Sequence, residues 1–310
     1  MIEVTNLTGS HYHYHPLYSN WEGLKKVILF AEGEQRRRGS CYIPNGTVWV
    51  FGKEDHKYRT EILDTDVGCG MAAFALEEVN PKKAANEICE HLRNKNILGR
   101  GNHFVDICSP INSSSIGTFN VSECNLLLIH TDGKNIRKKD HRVPRTIEEA
   151  VVWEKEASGF RQKMGLELSE LMGVKGELMG DWTHNSVEDA GEEIIYRKGV
   201  IKVIPEKIHI LPASLGEKIL LYTVSPQYLP PYSSFPHATG RKSSRGESKV
   251  SLDRIPELRQ RVYIPPQIAD TSLRTEHPDC YHSFKPILEK LGPYIISLGS
   301  ADILSYVGKV

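Results

Sequence analysis

The chain has no closely spaced cysteine pair: its six cysteines, Cys41, Cys69, Cys89, Cys108, Cys124 and Cys280, are scattered over 310 residues. The simplest reading is free thiols in a reducing cytoplasm rather than a disulfide framework. No apolar run approaches the ~18 residues of a membrane span, so no membrane partner is expected. Residues 1–20 hold no apolar core of a secretory signal. Net charge is absent as well, with 39 Lys and Arg against 39 Asp and Glu. No global field therefore favours a polyanionic partner, and one would have to meet a local basic patch. Three such runs exist: Arg36 to Arg38, Lys134 to Arg145, and Arg241 to Lys249. What remains is ordinary for a folded protein, with 39% hydrophobic and 25% charged residues.

The local patterns are mixed. Residues 22–38, with an apolar face and a basic end, read as a helix. Thr47 to Phe51 (TVWVF) reads as a strand by its β-branched and aromatic content. Asn80-Pro81 opens a helix running to about Lys95, with Asn80 as cap and Pro81 in the first turn. Leu126 to Ile129 predicts a short buried strand that delivers His130 at its end. Thr146-Ile147-Glu148-Glu149 has the form of a capping box, and apolar residues then recur from Ile147 to Leu171 at helical spacing, ending near Gly173. From Glu192 onward short β-type runs follow at 194–196, 200–204, 208–211 and 219–222, with brief helix or strand pieces at 283–292 and 301–307. No repeat and no long linker divides the chain. The expectation is an α+β fold, a single sheet-rich domain over residues 1–310 with flanking helices.

Several residues carry chemistry. Asp66-Val67-Gly68-Cys69-Gly70-Met71 puts a carboxylate and a thiol three residues apart in a glycine-rich turn. Gly101-Asn102-His103-Phe104 places an imidazole beside an amide in a second tight turn. His130 and His184 stand in comparable settings. A hard oxygen, a soft sulfur and several imidazoles together suit a transition metal. His237 differs in kind, since Ala238-Thr239-Gly240-Arg241 and then Ser243-Ser244-Arg245 follow it. Small residues let backbone N–H groups face an anion, and arginines can clamp phosphate oxygens. An imidazole there can attack phosphorus and hold a phosphoramidate. Arg197-Lys198-Gly199 adds a further basic turn. The alternation of His11, His13 and His15 reads as a surface segment rather than a chelate.

In order, DVGCGM, GNHF, a strand-end IH, HN, RKG, PASLG and HATGRKSSR resemble the motifs of the RtcB-type RNA ligases, over most of the chain from about residue 60 onward. Glu276-His277-Pro278-Asp279-Cys280-Tyr281-His282 and Lys309 resemble that family's ending. The resemblance implies a GTP- and manganese-dependent enzyme with two Mn2+ ions, joining RNA 3′-phosphate or 2′,3′-cyclic phosphate ends to 5′-hydroxyl ends in tRNA splicing or RNA repair. By position it implies that Asp66 serves one metal, that Cys69 bridges both, that His103 completes the first and that His130 and His184 complete the second. His237 is the implied nucleophile that takes up GMP. Asn102, Ser214, Gly240 and Arg241 fall at phosphate- or nucleotide-contacting positions, and Asp106, Tyr281 and Lys309 at positions around the guanine. An activating protein partner, a monomeric state and a cytoplasmic location belong to the same expectation. The chain departs from the family at several places: Tyr42-Ile43-Pro44-Asn45-Gly46 stands where an M-P-D-x-H stretch is usual, Thr131-Asp132-Gly133-Lys134 replaces Ser-Gly-Ser-Arg, Asp106 replaces a Glu, His282 replaces the lysine after Tyr281, Ala238-Thr239-Gly240-Arg241 replaces Gly-Ala-Gly-Arg, and the segment between His130 and His184 is shorter. Guanylyl transfer to, or processing of, phosphorylated RNA ends without sealing therefore stays open. So does a non-catalytic, metal-bound RNA-binding scaffold.

Overall fold

A computed structural model describes residues 2–8, 21–31, 43–54, 56–98, 101–112, 123–132, 143–243 and 247–310. His11, His13, His15, Arg36 to Arg38, Tyr42, Arg245 and all of the 134–142 basic run lie outside the described residues. In chain order the elements are β1 (Glu3–Asn6), β2 (Leu24–Leu29), β3 (Thr47–Gly52), α1 (Thr60–Leu63), β4 (Gly70–Leu76), α2 (Pro81–Lys95), β5 (Phe104–Cys108), β6 (Asn125–Thr131) and α3 (Ile147–Leu171). There follow β7 (Gly176–Thr183), β8 (Asn185–Asp189), β9 (Glu193–Lys198), β10 (Val200–Lys202), β11 (His209–Pro212), β12 (Lys218–Val224) and β13 (Ser234–Pro236). The last elements are α4 (Ile255–Arg261), α5 (Asp270–Leu273), α6 (Lys285–Leu291) and β14 (Ile295–Gly308). The fold is α+β, and no helix among the described residues is long and apolar enough to cross a membrane.

A seven-stranded antiparallel sheet runs in the order β11-β12-β14-β5-β6-β4-β7. A five-stranded sheet runs β1-β2-β3-β9-β8, and β10 pairs with β13. The segment expected to be a helix over 22–38 is instead β2 in its described part. Its side chains explain why. Val27 and Leu29 pack into one apolar cluster with Trp49 and Phe51, while Ile28 and Phe30 pack into another with Val48 and Val50. That alternation has a period of two, and a strand buried on both faces reads as a continuous apolar run.

The two long helices form where their caps predict. The Asn80 side chain accepts from the N–H groups of Lys82 and Lys83 at 3.1 Å, and Pro81 occupies the first turn of α2. Thr146 Oγ1 accepts from Glu149 N at 3.2 Å to open α3. The Glu149 carboxylate reaches back to Arg145 N at 2.8 Å, one residue before the cap. Helix α3 lies across β4, β6, β7 and β8. Its N-terminal part buries Ala150 in one cluster, and Met164 and Leu168 enter the other. It thereby spans the join between the two sheets. The chain crosses that join at His184, which separates β7 of the larger sheet from β8 of the smaller. The pieces expected at 301–307 belong to one long strand, β14, whose first half pairs with β12 and second half with β5.

Candidate metal centre

The turn before β4 is built by two glycines and an arginine. Gly68 has φ +82°, and a Cβ there would meet Ala157 Cβ of α3 at 2.8 Å and Trp153 O at 3.1 Å. A Cβ on Gly70 would meet the Arg161 guanidinium at 2.7 Å. Both positions therefore need glycine, for conformation and for close approach. Arg161 is fully buried on α3. It donates to Gly68 O at 2.6 Å, to Thr131 O at 3.0 Å and to Thr183 Oγ1 at 3.1 Å, and pairs with both oxygens of Asp181 at 2.6 and 3.0 Å. One side chain thus holds the main chain beside Cys69 and beside His130, and the Thr183 hydroxyl beside His184. His184 N also donates to Cys69 O at 2.8 Å.

Three segments distant in sequence meet here. Ligand atoms of Cys69, His130 and His184, all buried, lie within 4.8 Å of one another. Cys69 Sγ is 3.4 Å from His130 Nε2 and 3.8 Å from His103 Nε2. Two ligands of a tetrahedral ion, with sulfur at about 2.3 Å and nitrogen at about 2.0–2.1 Å, stand about 3.6 Å apart. The observed spacings bracket that value. His130 Nδ1 donates to Asn102 O at 2.8 Å; a carbonyl can only accept, so the proton sits on Nδ1 and the Nε2 lone pair faces the sulfur. His184 Nδ1 is buried with no hydrogen-bond partner among the described residues. Burial, joined by the neighbouring imidazoles, holds the His130 and His184 rings well below the usual histidine range. Both are therefore neutral at neutral pH, the form that binds a metal. The Cys69, His130 and His184 cluster could hold a metal ion.

His237 stands at the rim. It is half-buried, and its ring centroid lies 4.2 Å from that of His184 and 6.4 Å from that of His130. Its Nδ1 donates to Gly199 O at 2.7 Å, which leaves the lone pair on Nε2. Gly199 is itself fixed, because its N–H donates to Asn185 Oδ1 at 2.8 Å while Asn185 Nδ2 donates to Asp66 O at 3.2 Å. Asn185 thus ties the Cys69 turn to the histidine at the rim. The HN and RKG motifs meet through this amide.

The remaining sequence-derived residues fall in two groups. Asp66 ends the short 3-10 turn that leads to Cys69, and its carbonyl accepts from Cys69 N at 3.1 Å. It lies outside the 4.8 Å set. Asn102 contributes its carbonyl to His130, as above. Ser214 is buried in the turn between β11 and β12, and Thr239 N donates to the neighbouring Pro212 O at 3.1 Å, bringing the loop after His237 against that turn. Gly240 O accepts from His282 N at 3.0 Å, and Arg241 bridges to Tyr281. The Arg241 guanidinium stacks over the Tyr281 ring at 4.7 Å and donates to Thr275 O and, at 2.9 Å, to Ser248 O. Both terminal nitrogens therefore hold main-chain carbonyls, one in the same loop and one just after α5. Tyr281 and Lys309 converge on the buried Glu276: Tyr281 OH donates at 2.6 Å, Lys309 Nζ sits at 3.0 Å, and Lys309 also donates to Gly101 O beside Asn102. Asp106 on β5 is buried with Oδ1 unpartnered among the described residues, and burial pushes its carboxyl well above the usual range.

Sequence reasoning passed over Arg161 altogether, and met Asp132, Asn185 and Glu276 only as members of motifs, without a role of their own. Arg161 could have been found as an arginine inside the apolar stripe of Ala157, Met164 and Leu168. Asp132 follows His130 by two residues at a strand end, which puts both on one face. Compared with models of known protein families and with curated proteins, the sequence matches none of them.

Proposed function

We propose that the chain is a metal-dependent nucleotidyl transferase acting through His237, and more specifically a divergent RtcB-type RNA ligase. The observation that carries this reading is the placement of His237 against the buried cluster of Cys69, His130 and His184, with its Nδ1 proton held by Gly199 O. The ordered motifs supply the reaction class. A divalent ion at Cys69, His130 and His184, manganese by the family resemblance, would neutralise phosphate charge.

His237 Nε2 carries the lone pair and attacks the α-phosphorus of GTP. The new N–P bond replaces the bond to pyrophosphate, and the imidazolium keeps its Nδ1 proton on Gly199 O. An oxygen of an RNA 3′-phosphate next displaces the imidazole, which takes the lone pair back, and GMP becomes the leaving group for a 5′-hydroxyl. A rigid Gly199 carbonyl is what the first step asks of the protein, since it fixes both tautomer and ring direction. Asn185 supplies that rigidity. Tyr281, Lys309 and Glu276 form a polar cluster beside the Gly101-Asn102 turn that suits a nucleobase edge. Guanylyl transfer without sealing is the second reading, favoured by the Tyr42-Ile43-Pro44-Asn45-Gly46 stretch in place of M-P-D-x-H.

The test is incubation with Mn2+ and α-labelled GTP or ATP, followed by RNA carrying 3′-phosphate and 5′-hydroxyl ends. The expected result is acid-labile label on the wild-type chain, none on His237→Ala, and joined RNA. Label that survives His237→Ala, or no label at all, overturns the proposal. Label without joined RNA selects the second reading.

A further inference from the structure

We propose that Arg197 is a positioning residue for His237, a role resting on the nucleophile reading above: it clamps the strained turn before β13 and so fixes where that strand presents the imidazole.

The strand that delivers His237 is short. β13 is three residues, Ser234 to Pro236, and its strand partner among the described residues is β10, with Val200 opposite Pro236 and Lys202 opposite Ser234. A two-stranded ribbon of that length is a weak hold by itself. The segment from Arg197 to Gly199 holds both of its ends. At the far end, Gly199 O accepts from His237 N at 3.3 Å and from His237 Nδ1 at 2.7 Å. At the near end, Arg197 donates from Nε to Ser234 Oγ at 2.9 Å and from Nη2 to Tyr232 O at 3.0 Å. Ser234 Oγ also donates to Tyr232 O at 2.9 Å, which closes a triangle.

The backbone inside that grip is strained. Tyr232 has φ +53° and Ser233 φ +47°, so two successive residues with side chains adopt the left-handed region. Each such residue costs on the order of 1–3 kcal/mol and persists only where its surroundings hold it. Here Arg197 and Ser234 hold the Tyr232 carbonyl, Val203 N donates to Ser233 O at 2.8 Å, and Ser233 N donates to Pro230 O at 2.9 Å. Lys26 Nζ stands 5.5 Å from the centre of the Tyr232 ring. Strain of this kind gathers where a fold must aim a group, and His237 lies four residues further on.

Arg197 is suited to the task. It is 2% exposed, and its remaining terminal nitrogen, Nη1, donates to Glu188 Oε2 at 2.7 Å. A planar fork meets a hydroxyl, a carbonyl and a carboxylate at once, which a lysine cannot do. β9 belongs to the five-stranded sheet, so Arg197 ties the β10–β13 ribbon to that sheet. The His237 ring lies 4.2 Å from that of His184, and a nucleophile displaced by about 1 Å loses about 100-fold in rate. Removing the guanidinium strands no buried partner: Glu188 keeps Lys202 Nζ at 2.5 Å, and Tyr232 O keeps the Ser234 hydroxyl.

The test compares wild type, Arg197→Met, Arg197→Lys and Ser234→Ala as full chains, each checked for folding by near-ultraviolet circular dichroism. One readout is the histidine-ring 15N–1H correlation spectrum of the metal-free chain, with the His237 signals assigned by their loss in His237→Ala. The other is the rate of covalent labelling by α-labelled GTP with Mn2+. Wild type should show His237 as a single Nδ1–H tautomer. In Arg197→Met the two tautomers should average, and labelling at saturating GTP should slow by about 10- to 100-fold, with the half-saturating GTP concentration little changed. Arg197→Lys, which can still donate to Tyr232 O, should recover part of the loss. Ser234→Ala should show a smaller loss of the same kind, and it decides the matter if Arg197→Met does not fold. A folded Arg197→Met with wild-type His237 signals, or with the wild-type labelling rate, overturns the inference. A wild-type chain that takes no label overturns the nucleophile reading alone, and the ring signals then decide the role of Arg197.

Discussion

Arg161 and His184 flank the same turn and are equally hidden from water, yet they differ in what surrounds their polar atoms. Arg161 spends its nitrogens on Gly68 O, Thr131 O, Thr183 Oγ1 and both oxygens of Asp181. His184 leaves Nδ1 buried with no partner among the described residues. An unpaired buried donor or acceptor costs about 1–3 kcal/mol. A fully paired one holds the frame, whereas an unpaired one is tolerated where a ligand will use the site. Glu154 stands between the two cases: it lies partly buried on α3 with Val187 N donating at 2.8 Å, and burial lifts its carboxyl to about 7 despite that bond and nearby Arg197.

The comparison breaks most sharply at the arginine. Arg161→Ala should cost about 3–5 kcal/mol in chemical denaturation, because it strands Asp181 in the interior. Arg161→Met with Asp181→Leu should regain much of that stability while still losing metal, since the Gly68 and Thr131 carbonyls would no longer be held. A double variant as unstable as the single one would show that the pairing is not what matters.

Glu154 should give a pH effect of known sign. Its folded pKa of about 7 lies above the ordinary 4.5, so between those values the folded chain keeps a proton that the unfolded chain has lost. Stability therefore falls as pH rises through that window, by up to about 3 kcal/mol, and is flat in this contribution below it. Denaturation midpoints measured from pH 4 to 8 should flatten in Glu154→Gln, which can still accept from Val187. An unchanged slope would place the titration elsewhere.

Smaller effects are expected at the helix cap and the rim. Thr146→Ala should cost about 1 kcal/mol through the lost bond to Glu149 N, read as a shift in thermal midpoint. His237→Ala should change stability least, by about 1 kcal/mol or less for a half-buried ring. It should keep the bound metal and abolish covalent nucleotide labelling. Loss of metal in that variant would make His237 part of the centre rather than its neighbour.

Helices α2 and α3 were legible because caps and apolar spacing are local. Strand β2 was not: Val27 to Phe30 is a continuous apolar run, and only the placement of two cores on its two faces separates strand from helix. Strand β7 was hidden by Gly176, Gly180, Glu177 and Asp181, residues of low β-propensity that are tolerated by pairing with β4 and, at Asp181, by Arg161. At the site, the joint occurrence of Asp66, Cys69, His103, His130 and His184 pointed to a metal before any geometry, and Cys69, His130 and His184 are the three whose ligand atoms lie within 4.8 Å of one another. Arg161 and Arg197 carried no such signal. Their roles depend on which backbone atoms the fold brings to them, and that is not written in spacing. Arg241 shows the converse: an arginine in a phosphate-like loop is here occupied by the carbonyls of Thr275 and Ser248.

The most direct measurement of the central claim is the near-ultraviolet spectrum of the metal-stripped chain during Co2+ addition. A buried Cys69 thiolate that ligates the ion predicts a sulfur-to-cobalt charge-transfer band that saturates with binding and is absent from Cys69→Ser. No band in the wild-type chain, or the same band in Cys69→Ser, would contradict it.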